Sequence, residues 1–315
     1  MSEMNLLFLQ QITKMFLMLL LGFAAVKVKL MPASAGKGLS QVIVGVIRPC
    51  AIIYAFQVDF TRERLLGLLL AIFGAALSHV VLIFITWLLG DKALHMSPVE
   101  RASMIYSNSG NLLMPLISFT MGQEWLFYTC AYMGALQVFV WTHGKSLICE
   151  EPQIDWKRAL GNINIIAMAV GFLLFCARIR FPGVLGQAVQ SVGGALGSTS
   201  MLSIGISFAT IAHLDLKKMS RVLVVTLNRL IVYPLIMLAI FLLLRLNTLL
   251  PGAQQIVMIT LLGAGAPTGV VITQIAQLYD KEADHASLIG VFTMLCSIVT
   301  MPALIWVYET VTALV

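Results

Sequence analysis

The sequence predicts an all-α polytopic membrane protein with ten transmembrane helices arranged as a five-plus-five inverted repeat. Three observations carry this. Of 315 residues, 59% are hydrophobic and only 11% charged, and the mean hydropathy is +0.94. Soluble domains carry about a quarter charged residues. Apolar runs of about 20 residues recur along the whole chain, each long enough to cross a bilayer. Finally, each half of the chain contains one run that polar and helix-breaking residues interrupt. Two such breaks in corresponding places point to a transporter's binding site.

The spans fall at about 5–26, 37–57, 65–89, 99–121 and 125–147, then at about 161–180, 186–211, 219–245, 253–277 and 285–308. The first reads as a retained span. It has Glu3 in place of a basic leader and no clear small-residue cleavage site. Between spans 5 and 6 lies the longest strongly polar stretch, Glu150 to Arg158. It divides the chain into a first repeat (1–149), a connecting loop (150–160) and a second repeat (161–315).

Cytoplasmic loops are rich in Lys and Arg. The odd-numbered loops hold twelve: Lys27, Lys29, Lys37, Lys92, Arg101, Lys145, Lys157, Arg158, Lys217, Lys218, Arg221 and Lys281. The even-numbered loops hold five: Arg62, Arg64, Arg178, Arg180 and Arg245. The odd loops are therefore expected in the cytoplasm and both termini outside, in a multi-pass protein of the cell (inner) membrane. With five spans per half, the halves run in opposite directions. The net charge of +6 then needs no nucleic acid to explain it.

The first break is Ser107-Asn108-Ser109-Gly110-Asn111-Leu112-Leu113-Met114-Pro115. Its counterpart is Gly263-Ala264-Gly265-Ala266-Pro267-Thr268-Gly269. Proline removes a backbone donor and clashes with the preceding turn. In lipid, backbone groups freed this way survive only inside protein or beside a wet cavity. Gly110 and Pro115 are expected to make the first break, and Gly265 and Pro267 the second. Asn108 and Asn111 offer amide donors for a carboxylate, and an acceptor for a cation or hydroxyl. They also suit helix caps. Ser109, Gly110, Thr268 and Gln274 complete the candidate binding set.

Arg48 sits near the middle of span 2. A central arginine is costly in a bilayer and should face the protein interior. It is expected to attract an anion, to replace a coupling cation's charge, or to hold freed carbonyls of a broken helix. Lys14, His79 and His143 read as packing or snorkelling groups, and Asn228 and Arg229 as scaffold. The fourteen acidic residues all fall in loops or at span ends, which speaks against a cation exchanger. Cys50, Cys130, Cys149, Cys176 and Cys296 form no CxxC and no Cys/His cluster. They read as small buried hydrophobes, and no metal site, disulfide or cofactor is expected. There is no HExxH, no GxSxG and no phosphate loop, so an enzyme is not expected.

At these breaks the chain resembles the auxin efflux carrier family, which includes plant PIN-FORMED carriers and bacterial malonate and malate carriers. Asn108 and Pro115 match its span 4 pattern. Ala266-Pro267-Thr268-Gly269, with Ala276 and Tyr279, match span 9; Thr293, Ser297 and Pro302 match span 10; Pro49 matches span 2. The resemblance implies the fold of bile-acid symporters and sodium/proton antiporters, with spans 4 and 9 unwound and crossing at mid-membrane. It further implies a secondary carrier of a small organic anion, an elevator-like movement, and a carboxylate held near Asn108. A homodimer is compatible with it, and coupling to sodium or a proton stays open. Asn111 and Arg48 are departures from the family pattern. The alternatives are an ion-coupled cation exchanger of the same fold or a non-transporting membrane receptor.

Overall fold

The computed structural model describes residues 3–151, 156–209 and 219–314. Residues 152–155 of the connecting loop, the end of span 7, Lys217, Lys218 and the Lys92 side chain lie outside the described residues. The described chain is predominantly helical. Its one β element is an isolated antiparallel bridge between Ser107 and Thr268.

The helices are α1 Glu3–Lys27, α2 Ala35–Ala55, α3 Arg62–Asp91, α4 Pro98–Ile105, α5 Met114–Thr120 and α6 Gln123–Phe139. They continue with α7 Ile163–Cys176, α8 Gly183–Ala209, α9 Met219–Leu243, α10 Ala253–Gly265, α11 Val270–Leu278 and α12 Ala283–Thr312. Six of them are long and apolar enough to cross a membrane: α1, α2, α3, α8, α9 and α12. The protein is therefore a multi-pass membrane protein. The other four expected spans fall short of that criterion for physical reasons. Spans 4 and 9 are each cut into two helices. Span 6 is only 14 residues long as α7. Span 5, prolonged from α6 to Cys149, is diluted by Gln137, Trp141, Thr142 and His143.

Local signals set the helix starts. The Thr61 hydroxyl accepts from the Arg64 amide at 3.1 Å to open α3. Ser97 and Glu100 form a capping box at α4. Asn162 accepts from the Asn164 amide at 2.9 Å to open α7. Three π turns, Ile43–Ile47, Ser109–Leu113 and Asn228–Val232, each end two residues before a proline: Pro49, Pro115 and Pro234. A proline ring collides with the carbonyl four residues back, and a wider turn moves that carbonyl aside.

Two bundles result. The first joins α1, α2, α7 and α8; the second joins α3 to α6 with α9 to α12. In the first, α1 and α8 touch backbone to backbone. A Cβ on Gly205 would strike the Leu19 carbonyl and the Phe23 amide, and one on Gly22 would strike the Leu202 backbone. Small residues bring membrane helices this close. In the second, α10 is buried along almost its whole length, as expected of a helix apolar on all sides.

The structure moves both breaks relative to expectation. The first lies at Tyr106–Asn108, ahead of Gly110, which belongs to a π turn. Pro115 follows the π turn inside one helical segment that begins at Ser109, so it lies within a half-helix rather than making the gap. The second break is confined to Ala266–Gly269. Gly263 and Gly265 are helical, and they admit the Tyr132 ring and the Leu304 side chain. Cys176 is exposed, unlike buried Cys130 and Cys149, because it ends α7 on an outward face.

Gly205→Val should force α1 and α8 apart and destabilise the protein by about 1–3 kcal/mol or more. Gly38→Ala, where an added Cβ meets nothing within 4 Å, should be close to neutral. Thermal unfolding in detergent measures both.

Candidate functional site

Each break leaves backbone groups without helical partners, and the two breaks pair with one another. The Asn108 amide donates to the Pro267 carbonyl at 2.8 Å, and the Gly269 amide donates to the Tyr106 carbonyl at 2.9 Å. Gly269 is required for this approach, since a Cβ there would lie 2.8 Å from the Ser107 oxygen. The Thr268 hydroxyl donates to the Ser103 carbonyl at 2.9 Å, and its amide donates to Thr293 Oγ1 at 3.2 Å. Four elements thus meet at the breaks: α4, α10, α11 and α12.

Arg229 completes the closure. It is fully buried in the π turn of α9. Its Nε donates to the Ala266 carbonyl at 2.8 Å, and its Nη1 to Met104 at 2.9 Å and Ile105 at 3.3 Å. These carbonyls are the C-terminal ends of α10 and α4. A helix C-terminus carries roughly half a negative charge, so two of them come close to balancing one guanidinium. At the far end of α4, buried Glu100 accepts from Arg221 at 2.9 Å and lies 3.0 Å from His285 Nε2, which fixes α4 to α9 and α12.

The opposite side of the first break is differently furnished. Asn108 is 5% exposed, and its amide side chain makes no hydrogen bond among the described residues. Ser109 is buried, with its hydroxyl unpartnered. Arg48, in α2, is buried too. Its Nη2 donates to Asn111 Oδ1, its Nε has no partner, and no carboxylate among the described residues reaches it. Ser200, in α8, lies 3.5 Å from the same Asn111 oxygen. The guanidinium rests on Gly110, where a Cβ would sit 3.2 Å from Cζ and Nε. The helical segment that begins at Ser109 directs its positive end here. Chemically, this face offers hydrogen-bond donors, a fixed positive charge and, among the described residues, no acidic group.

The structure brings Arg48 against Gly110 and Asn111; buried Asn108 and Ser109 immediately precede them in the chain. It does not bring the others to them. Thr268 uses its hydroxyl on Ser103, Gln274 lies on the exposed side of α11, and Gly265 and Pro267 serve packing and backbone pairing. The freed carbonyls go to Arg229 rather than to Arg48. Arg229 stood out in the sequence as a charge in mid-span; its paired targets did not. Tyr106 contributes through a backbone carbonyl, for which the sequence carries no signal, whereas Thr293, one of the span 10 matches, contributes a buried hydroxyl.

Two interrupted helical runs are thus tied to one another within a multi-pass helical protein. A sequence profile described as membrane transport protein matches residues 7–153 and again residues 152–305. The chain belongs to this family, the auxin efflux carriers. No curated protein matches the chain.

Arg229→Leu would leave the Met104, Ile105 and Ala266 carbonyls without their donor and should destabilise the fold by about 3–5 kcal/mol. Arg229→Lys keeps the charge but cannot span both half-helices, so its melting temperature should fall between those of wild type and Arg229→Leu.

Proposed function

We propose that the protein is a secondary carrier of a small organic anion, whose carboxylate binds at the first break against Asn108, Ser109 and Arg48. The observation that supports this most is the buried Arg48 guanidinium, set on Gly110 with no acidic partner among the described residues. A charge at this depth is costly unless it is matched, and a carboxylate matches it with two parallel hydrogen bonds. The same charge repels a cation, which ranks a cation exchanger of this fold lower. The unused Asn108 amide and Ser109 hydroxyl supply further donors.

The transport path follows from the same reading. Ten spans form two inverted repeats, 1–149 and 161–315, joined by the loop at 150–160; the two profile matches, one per half, support this. Spans 4 and 9 cross at the paired breaks. The first bundle is the scaffold and the second moves past it in an elevator-like step, with Arg48 and Ser200 on the scaffold side. The excess of Lys and Arg in the odd loops places them in the cytoplasm and both termini outside the cell membrane.

Purified protein should gain thermal stability with at least one compound in a panel of mono- and dicarboxylates, because a ligand of the folded state raises the melting temperature. Running the panel with and without sodium and across pH identifies any coupling ion. In proteoliposomes, Asn108→Ala should lower uptake of that compound about ten-fold or more at subsaturating concentration. Unchanged uptake at equal protein would remove Asn108 from the site.

A further inference from the structure

Asn111 stands in an unusual relation to Arg48. Its carboxamide oxygen accepts from the guanidinium, the position that a carboxylate oxygen would take. Two donors from the first bundle, Arg48 Nη2 and Ser200 Oγ, converge on this one oxygen, which belongs to the π turn of the second bundle. A carbonyl oxygen is the neutral counterpart of a carboxylate oxygen, and a guanidinium binds the charged form more strongly. Asn111 and Gly110 are partly exposed, so this contact lies at the open edge of the site. The buried side of the guanidinium keeps Nε unpartnered.

We infer that Asn111 is a built-in surrogate for the substrate carboxylate. In the empty carrier its oxygen occupies Arg48 and keeps the guanidinium satisfied inside the membrane. An arriving carboxylate displaces it and takes two of the guanidinium's donors where the amide took one. The surrogate serves two ends. It prevents a bare charge in the empty state, and it sets a threshold that only a strong acceptor passes, so neutral carbonyl compounds and amides are rejected. Displacement also cuts a side-chain tie between the two bundles at the moment of loading. This rests on the anion-carrier reading of the same site and adds to it the sign of the Asn111 contribution: it competes with substrate rather than holding it.

The sign is measurable. Binding is followed by thermal shift and by titration calorimetry, with acetate, lactate, malonate and succinate as probes. Asn111→Leu, similar in volume and without an acceptor, should bind the best of these about ten-fold more tightly than wild type. Asn111→Asp places a permanent carboxylate on Arg48 and should abolish binding of all four while raising the melting temperature of the empty protein. Melting without ligand confirms that each variant is folded. Equal or weaker binding by Asn111→Leu, with wild-type binding intact, would overturn the surrogate role and leave the anion site standing. Retained binding by Asn111→Asp would overturn it as well. No binding by wild type or by Asn111→Leu would remove the anion site and the surrogate together.

Discussion

A membrane interior offers no water to a freed amide or carbonyl, and the rest of this structure depends on how that constraint is met at two places. Unwinding Tyr106–Asn108 and Ala266–Gly269 releases backbone groups at the centre of the protein. Each break satisfies the other through a two-bond antiparallel patch. What the patch leaves over goes to Arg229. From this follow the glycine at 269, the hydroxyls at 268 and 293, and the presence of an arginine in the middle of α9. The hydroxyls and the arginine each close a particular backbone valence, and the glycine leaves room for the two breaks to meet.

The two buried arginines show how environment divides one residue type into two roles. Arg229 is surrounded by three carbonyls from two helix ends. Their partial charges sum to about one negative unit, so its charge is matched within the fold. Arg48 has one neutral amide oxygen and faces the positive end of a helical segment. Its charge is hydrogen-bonded and yet unmatched. The difference in partners, more than the difference in burial, separates the two: one arginine ties two helix ends together, and the other holds a single neutral acceptor.

The features legible in the sequence were those written in composition. Low charge and repeated apolar runs gave the membrane class. Asn, Gly and Pro inside two of the runs marked both interruptions to within a few residues. Their exact extent was hidden because a proline's effect falls on the carbonyl four residues earlier, and because a π turn absorbs it at Pro115. Asn108 was marked by its polarity. The Arg48 partner was not, since Arg48 and Asn111 lie 63 positions apart and meet only after two bundles pack. Thr268 and Gln274 looked equally polar in the sequence; tertiary contacts turned the first inward onto Ser103 and left the second outside.

The pairing of the breaks has an evolutionary consequence. It is made from main-chain atoms and from groups on α4, α9, α10, α11 and α12, all within one bundle. The side chains at 48, 108, 109 and 111 take little part in it. A lineage can therefore exchange those four side chains without dismantling the frame that presents them.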